Sequence, residues 1–221
     1  MKNKVLDAQQ AVAHVKDGDH VMVGGFLKGG TPDKTIRELI RQGQKDLTLT
    51  SNDTGRSDCA VFDLVASGHV TRINGSYIGA NPETGRMLME HPDRVTLYPQ
   101  GTLAEKIRCG GYGLGGVLTP VGVGTIVENG KRKIEVDGRE YLLETALRAN
   151  VSFVKAHLAD ESGNLFIRGN AKNFNVVMAS AGDYVIAEVD AIVPVGGIDP
   201  EDVTIPGALI DALVLAGGTE S

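Results

Sequence analysis

The first half of the chain alternates short apolar runs with amphipathic stretches. The apolar runs at residues 21–23, 47–50, 70–77 and 94–97 have the length of buried β-strands. The stretches between them repeat apolar residues at helical spacing, and helices are predicted to begin near residues 7, 31, 60 and 82. Strands that alternate with helices of about ten residues are typical of a parallel sheet with helices packed against it.

Polar side chains suited to bond free backbone N–H groups mark several predicted helix starts. Asp7 with Gln10, and Thr102 with Glu105, have the spacing of capping boxes. Thr31 stands before a proline, as an N-cap residue does when proline occupies the first helical position. We therefore expect Asp7, Thr31 and Thr102 each to cap a helix.

The pattern changes after residue 110, where polar and apolar residues alternate with period two. Asn129-Gly130 and Asp137-Gly138 are strong hairpin signals, because both dipeptides accept the positive φ angles of tight hairpin turns. They predict an antiparallel β-meander at about residues 117–144, with strands at residues 124–127, 133–136 and 139–143.

The parallel pattern returns in the last third of the chain. Residues 151–156 and 184–188 are predicted strands, and a helix is predicted to start near residues 173–175. We therefore expect an α/β fold, with an open, mainly parallel sheet flanked by helices and an antiparallel β-meander insertion. Residues 1–221 are expected to form a single domain with a frayed tail at residues 217–221.

Composition and charge argue against several classes of protein. Hydrophobic residues make up 42% of the chain, and no apolar run approaches the ~20 residues of a membrane span. The N-terminus lacks the apolar stretch of a secretory signal, so we expect a cytoplasmic protein without a membrane segment. The net charge of −6 argues against nucleic acid as a partner. The two cysteines and five histidines show no metal-ligand spacing, and no metal site is predicted.

Glycine is unusually frequent, with 29 residues in 221, against a typical share of about 7%. The glycines cluster at residues 24–30, here called the glycine loop, and at residues 110–116 and 122–124. Such clusters are expected where backbone must approach a ligand or another chain closely. Residues 111–116 also fit the G-x-G-x-x-G pattern of dinucleotide-binding loops, but a helical segment precedes them and Pro120 prevents a helix after them. Nucleotide binding is therefore not predicted.

One stretch of sixteen residues carries a family resemblance. Residues 17–32, D-G-D-H-V-M-V-G-G-F-L-K-G-G-T-P, resemble the first signature of the family I CoA-transferases, in which an acidic turn and three apolar residues precede G-G-F-x-x-x-G-x-P. Further stretches resemble the alpha subunits of acetate, butyrate and acetoacetate CoA-transferases, and they lie at residues 51–53, 76–79, 99–108, 119–120 and 172–175. The resemblance extends over nearly the whole chain.

The resemblance implies that two subunits divide the catalytic work. In the family, the nucleophile is a glutamate in an S-E-N-G motif on the beta subunit. This chain has V-E-N-G at residues 127–130, where Asn-Gly is already explained as a turn, so Glu128 is not expected to be the nucleophile. We expect a hetero-oligomer, such as α2β2 or α4β4, that exchanges CoA between short-chain acids through a glutamyl-CoA thioester on the partner. CoA is then a substrate, and no cofactor is implied.

The resemblance also assigns roles to residues at the predicted strand ends. Gln100 has an oxyanion-binding role in the family, and it follows a predicted strand, where open parallel sheets place their sites. Asn52 and Tyr77 match positions that line the carboxylate pocket. The glycine loop is expected to contact the substrate or the partner's glutamate, and its candidate residues are Gly24, Gly25, Phe26 and Gly29.

Each candidate also has a purely structural interpretation. Gln100 and Asn52 can act as turn residues bonded to local backbone, Tyr77 can be half-buried packing, and the small residues of the glycine loop can allow a helix to pack closely on a strand. Asp53 stands where some relatives carry a second Asn, and it would repel a carboxylate if it faced the same pocket.

Two other functions stay open on the sequence alone. One is a self-sufficient acyl-CoA hydrolase that uses Glu128 or Glu161 as its nucleophile. The other is a non-catalytic module that senses acids or CoA esters, since an α/β fold can bind such ligands without performing chemistry.

Overall fold

Six α-helices, five short 3-10 helices and eleven strands lie within residues 3–217, the part of the chain that the computed structural model describes. The predicted frayed tail lies outside these residues, apart from Gly217. The helices are α1 (Ala8–Val12), α2 (Asp33–Gln42), α3 (Ala60–Ala66), α4 (Pro82–Glu90), α5 (Gln100–Gly111) and α6 (Asn173–Ala181). The strands are β1 (His20–Val23), β2 (Leu47–Ser51), β3 (Val70–Gly75), β4 (Val95–Leu97), β5 (Gly116–Thr119), β6 (Lys133–Val136), β7 (Arg139–Thr145), β8 (Ala149–Asp160), β9 (Leu165–Phe166), β10 (Gly182–Val193) and β11 (Ala212–Leu215). None of these helices is long and apolar enough to cross a membrane.

The larger sheet has the strand order β11-β10-β8-β1-β2-β3-β4. These strands all run parallel, and the short β9 pairs antiparallel with β8. From β1 the chain adds strands towards β4 on one side, and it later returns to add β8, β10 and β11 on the other. The strand order therefore reverses between β1 and β8, and open α/β sheets bind their ligands at such a point, beyond the carboxyl ends of the strands.

Helices cover both faces of this sheet, which explains the apolar runs in its strands. In β1, Val21 and Val23 belong to the core formed with α1, α2 and α3, whereas Met22 belongs to the core formed with α5 and α6. Leu39 of α2 and Met178 of α6 are fully buried on these two faces. A parallel strand that is covered on both faces has no polar side, so its sequence reads as a continuous apolar run.

Between α5 and β8 the chain forms a separate antiparallel sheet, here called the insertion, with the strand order β5-β7-β6. Asp137 (φ +50°) and Gly138 (φ +73°) make the predicted hairpin turn between β6 and β7. The predicted fold class is confirmed: a mainly parallel sheet is flanked by helices and carries an antiparallel insertion.

The prediction for the first strand of the insertion was wrong. That strand is β5, and residues 124–127 form no strand, since Ile126–Glu128 is a short 3-10 helix. Asn129-Gly130 therefore turns the chain without making a hairpin. The reason is local: Gly122 (φ +95°) and Gly124 (φ +76°) turn the backbone, and the Glu128 carboxylate accepts from the N–H of Gly124, so residues 124–127 are not extended beside β6.

A buried ion pair joins the insertion to α5. Lys106 Nζ lies 3.0 Å from Glu144 Oε2, and the two side chains are only 4% and 3% exposed. Lys131 also contacts Glu144, and both ammonium groups lie over the ring of Tyr98. Because a buried charge that loses its partner is costly, this cluster holds the insertion against α5.

Of the predicted helix caps, the Asp7–Gln10 capping box is present: the backbone N–H of Gln10 donates to Asp7 Oδ1 at 2.7 Å. The cap predicted at Thr31 is wrong, because α2 begins at Asp33. The hydroxyl of Thr31 donates instead to the carbonyl of Leu27, at 2.9 Å, and so closes the glycine loop.

The capping box predicted at Thr102 is also wrong. α5 begins at Gln100, directly after Pro99, so Thr102 lies inside the first turn of the helix. Glu105 bonds Arg108 of the same helix rather than a cap residue. Pro99 fixes the backbone just before Gln100, and the helix therefore starts earlier than the side-chain signal indicates.

Candidate functional site

The ends of four neighbouring strands meet at one edge of the large sheet. The glycine loop follows β1, Asn52 follows β2, Tyr77 lies just beyond β3, and Gln100 begins the helix that follows β4. All these positions lie at the carboxyl ends of parallel strands, which is the side where α/β sheets form their sites. The fold therefore brings the residues singled out in the sequence to a common edge.

Gln100 and Asn52 form the centre of this edge. Gln100 is exposed, and its Nε2 donates to Asn52 Oδ1 at 2.7 Å. Asn52 is only 1% exposed, and the same Oδ1 also accepts from the hydroxyl of Ser76 at 2.9 Å. The buried amide of Asn52 thus holds the exposed amide of Gln100 in place.

The amide of Gln100 keeps hydrogen-bonding capacity for a ligand. Its NH2 group has two N–H bonds, and Asn52 accepts one of them. Gln100 is also the first residue of α5, a helix of 12 residues whose N-terminus has no side-chain cap. The free N–H groups of that first turn and the helix dipole both favour negative charge there. This arrangement suits an oxygen that becomes negative during a reaction.

Asp53, whose role the sequence left open, holds the glycine loop. Its Oδ2 accepts from the backbone N–H of Leu27 and from the side-chain amide of Asn52, both at 2.8 Å, and its Oδ1 accepts from the N–H of Gly55 at 2.9 Å. Asp53 is only 6% exposed. The carboxylate is therefore occupied by three donors from the chain itself.

Two glycines of the loop are required by packing and conformation. A Cβ atom on Gly24 would lie 1.9 Å from Asn175 Oδ1, and Gly25 has a φ of +118°. Phe26 and Gly29 lie at the tip, where their backbones exchange two hydrogen bonds of 3.0 and 2.9 Å. Phe26 is 47% exposed, so this residue presents a surface that a ligand or partner can contact.

Tyr77 is half exposed at the same edge. Its backbone N–H donates to the carbonyl of Asn52 at 3.1 Å, and its ring lies against Gly79. The backbone of Tyr77 is therefore tied to Asn52, whereas its hydroxyl-bearing side chain is available at the surface.

Asn175 is a supporting residue to which the sequence analysis assigned no role. It is fully buried; its Nδ2 donates to the carbonyl oxygens of Gly30 and Ala171, and its Oδ1 accepts from the N–H of Lys155, all at 2.9 Å. It thus locks the glycine loop to α6 and β8. The K-N-F-N stretch at residues 172–175 was the available signal for it.

Glu128 and Glu161, the two alternative nucleophiles, lie in turns. Glu128 Oε2 accepts from the backbone N–H of Gly124 at 2.6 Å, so its carboxylate stabilises its own turn in the insertion. Glu161 follows β8, and its backbone N–H donates to the carbonyl of Val193. Neither carboxylate bonds the Gln100–Asn52 pair.

A second buried polar cluster lies across the strand-order reversal, on β8 and β10. Glu188 Oε2 accepts from the backbone N–H of Thr35 at 2.9 Å, in the first turn of α2. Lys155 Nζ lies 3.5 Å from Glu188 Oε1 and 2.6 Å from Asp190 Oδ1. Burial raises the pKa of the Glu188 carboxyl. Each charged group of this cluster therefore has a partner within the chain.

A groove of about 890 Å³ lies beside this second cluster, whereas the cleft next to Gln100 measures about 270 Å³. The basic side chains of the groove are engaged already: Arg41 pairs with Glu38, Arg37 with Asp63, and Lys34 donates to a backbone carbonyl. A large groove whose charges are all satisfied is a weaker candidate than the exposed amide of Gln100.

Comparison with known proteins identifies the family. The family model described as Coenzyme A transferase matches residues 5–216. The chain belongs to the coenzyme A transferase family. The prediction drawn from the signature at residues 17–32 is confirmed.

Two curated CoA-transferase chains match this one over almost their full length. The alpha subunit of acetate CoA-transferase from Escherichia coli K12 is 44% identical over 216 residues, which cover 98% of each chain. The acetoacetyl-CoA:acetate/butyrate CoA transferase alpha subunit of Clostridium acetobutylicum is 44% identical over 214 residues, which cover 97% of this chain and 98% of that one. The predicted relation to CoA-transferase alpha subunits is confirmed.

A solved CoA-transferase shares the fold. An acyl-CoA transferase of Escherichia coli O157:H7, in a thioester complex with CoA, superimposes with a TM-score of 0.81 at 24% identity. The match covers 96% of this chain and 47% of that one, so this chain spans about half the length of that transferase.

Proposed function

We propose that this chain is the alpha subunit of an enzyme that moves CoA between short-chain carboxylic acids such as acetate, butyrate and acetoacetate. The observation that carries the proposal is the 44% identity, over 98% of both chains, to an acetate CoA-transferase alpha subunit. The exposed amide of Gln100, held by buried Asn52 at the carboxyl edge of the sheet, is the group that fits this chemistry.

The reaction needs a carboxylate nucleophile that we assign to a partner subunit. A glutamate of the partner attacks the thioester carbonyl of the acyl-CoA donor, and CoA thiolate leaves, so a mixed anhydride forms. The thiolate then attacks the glutamyl carbonyl and releases the donor acid, which leaves CoA on the glutamate as a thioester. The acceptor acid reverses these steps and departs as the new acyl-CoA.

Gln100 acts when charge develops on a carbonyl oxygen. Each attack in the sequence converts a carbonyl oxygen into an oxyanion, and a fixed N–H donor aimed at that oxygen lowers the barrier, typically by ~3 kcal/mol. An amide suits this task because it donates a hydrogen bond without losing a proton. Asn52 restricts the orientation of that donor, and a positioned donor needs no reorganisation during the reaction.

The other candidates surround this donor. The half-exposed side chains of Tyr77 and Phe26 form walls that can contact the acid or the partner's glutamate. Gly29 keeps the loop tip narrow, and Gly24 and Gly25 let the loop pack closely on Asn175 and Thr31. In this proposal the chain is one domain that works in a hetero-oligomer such as α2β2 or α4β4, with CoA as a substrate.

Substitution of Gln100 in the co-expressed complex tests the proposal. We expect Gln100→Leu to lower kcat roughly 10²–10³-fold, the loss seen when one oxyanion donor is removed. Gln9→Leu is the matched control, because Gln9 is an exposed glutamine on α1, a helix that follows none of the four strands whose ends form the candidate site. Equal activities of the two variants would rule out a catalytic role for Gln100.

A chemical trap locates the nucleophile. Borohydride reduces an enzyme-bound thioester, so treatment in the presence of acyl-CoA should mark a glutamate on the partner, and Glu128→Gln should leave activity unchanged. Modification of Glu128, or hydrolysis of acyl-CoA by the purified chain alone, would favour the hydrolase alternative. Binding of CoA esters without turnover by the complex would favour a sensing module.

A further inference from the structure

Asp53 fixes the direction in which the side-chain amide of Asn52 points. A carboxylate accepts hydrogen bonds and donates none, and Asp53 Oδ2 lies 2.8 Å from the amide nitrogen of Asn52. The two ends of the Asn52 amide are therefore not interchangeable: its NH2 group faces Asp53, and its oxygen faces Gln100 and Ser76. Asn52 is 1% and Asp53 6% exposed, so water competes little for either side chain.

The direction of the Asn52 amide decides the direction of the Gln100 amide. Only the NH2 end of Gln100 can bond an oxygen, and its Nε2 lies 2.7 Å from Asn52 Oδ1. Ser76 does not impose this direction, because a hydroxyl group both donates and accepts. If Asn52 turned its NH2 group towards Gln100, Gln100 would present its oxygen to Asn52. The donor and the acceptor of Gln100 would then exchange places.

A second buried aspartate makes the same arrangement at the end of β8, which is not one of the four strands that form the candidate site. Asp160 is 2% exposed, and its Oδ2 accepts from the side-chain amide of Asn164 at 2.8 Å. Asp160 also accepts from two backbone N–H groups, as Asp53 does. Asn164 Oδ1 accepts from the backbone N–H of Gly207, also at 2.8 Å, whereas Asn52 Oδ1 accepts from a side chain that keeps a second N–H.

We propose that Asp53 is a positioning residue for the reaction and that it sets the direction of the Gln100 donor through Asn52. The inference rests on the proposed function, in which Gln100 donates to the oxyanion. The same oxygen of Asp53 also accepts from the backbone N–H of Leu27 at 2.8 Å. One carboxylate oxygen therefore holds both the glycine loop and the amide that orients Gln100.

Asp53→Asn in the co-expressed complex tests this role. The variant keeps the size of the side chain, but one of its two oxygens becomes an NH2 group. Both oxygens of Asp53 accept N–H bonds, so an asparagine cannot accept them all, and it allows Asn52 to bond it in either direction. Because a catalytic group that is held in the wrong orientation costs rate, we expect kcat to fall roughly three- to tenfold.

The same variant made in Gln100→Leu separates the donor from the glycine loop. The bond to Leu27 is affected equally whether residue 100 is Gln or Leu. In Gln100→Leu there is no donor left to misplace, so we expect Asp53→Asn to lower kcat there by less than about twofold. Asp160→Asn is the matched control, because it makes the same change in the same arrangement. It should leave kcat of the folded complex within about twofold of the original.

An equal loss of kcat in both backgrounds would overturn the inference and assign Asp53 to the glycine loop or to folding alone. An unchanged kcat for Asp53→Asn, or an equal loss for Asp160→Asn, would overturn it as well. None of these results touches the proposed function, which depends on Gln100→Leu and on the position of the thioester. If Gln100→Leu keeps its full kcat, the catalytic role of Gln100 fails and the role of Asp53 fails with it. If Asp53→Asn does not assemble, Asp53→Ser is measured in the same comparison.

Discussion

Asn52, just after β2, and Glu188, within β10, belong to the same sheet on opposite sides of the point where the strand order reverses, and both are almost fully buried. Asn52 uses its amide to hold Gln100, an exposed side chain that keeps a free N–H. Glu188 uses its carboxylate to bond the first turn of α2, and its charge is met by Lys155. The first cluster leaves the Gln100 amide exposed with a free N–H, whereas the charged groups of the second cluster are bonded to other groups of the chain.

The comparison shows that burial and a perturbed pKa do not by themselves mark a site. The pKa of Glu188 is raised by its burial, yet the hydrogen bonds of this residue are explained by helix capping. The Gln100–Asn52 pair contains no titratable group, yet it is the arrangement that can stabilise an oxyanion. Structural ion pairs perturb pKa values as active sites do, so unused donor capacity is the more useful criterion here.

Replacement of Glu188 should have the largest effect on folding. Glu188→Leu leaves the N–H of Thr35 without an acceptor and removes one of the two carboxylates beside Lys155, so we expect a loss of about 3 kcal/mol in the free energy of unfolding. Asp190→Leu is the matched control; Asp190 is 51% exposed, and its loss should cost at most about 1 kcal/mol. Urea denaturation measures both.

The same variant sharpens the contrast between the clusters. Folded Glu188→Leu complex should keep kcat/KM for CoA transfer within about twofold of the original, because the cluster acts on folding alone. A tenfold loss of activity in the folded fraction would place Glu188 in the functional site, and the two clusters would then not differ in function.

Asn52→Ala should affect activity more than folding. Without its acceptor, the Gln100 amide is free to rotate, so we expect kcat to fall about tenfold, with little change in KM. Asn74→Ala is the control, because Asn74 lies on β3 and donates one hydrogen bond, to the Thr50 hydroxyl. If the two variants have the same kcat, Asn52 does not position a catalytic group.

The smallest effect is a contribution of the Glu188 cluster to the pH dependence of stability, which the Gln100–Asn52 pair should not make because it holds no titratable group. Because the pKa of Glu188 is raised on folding, its favourable contribution is complete below the unfolded value, near 4.3, and is lost as pH rises through the folded value. Between pH 4 and 7 the Tm should therefore fall less with rising pH in Glu188→Gln than in the original chain. The difference between the two falls should be less than about 3 °C. Parallel curves for the two proteins would contradict this assignment, and Asn52→Ala should not alter the slope.

Local signals predicted the parts of the fold that depend on neighbouring residues. The Asp7–Gln10 capping box and the Asp137-Gly138 turn require only a few adjacent residues, and both formed as predicted. The cap at Thr102 failed because Pro99 and the contact between Gln100 and Asn52 favour an earlier helix start. The strand β5 was missed because its four residues are stabilised by pairing with β7, which no local pattern reveals.

The candidate site was predictable in its residues but not in its construction. The family resemblance and the strand-end positions singled out Gln100 and Asn52, whereas the bond between them depends on two strands that are not adjacent in sequence. The close approach of Gly24 to Asn175 joins two segments that are far apart in the sequence, so no periodic pattern of residues predicts it. The roles of these residues in catalysis stay predictions until the variants are measured.

The bond from Asp53 to the backbone of Leu27 has a consequence for recombining related genes. The glycine loop and the end of β2 are one mechanical unit, although α2 separates them in the sequence. A chimaera with its crossover within α2 would pair a loop from one parent with a carboxylate from the other, and a loop of different conformation would move the backbone N–H of residue 27 away from Asp53. A crossover between α3 and β3 keeps this unit intact, but Ser76 and Gln100, which both bond Asn52, would then come from the other parent.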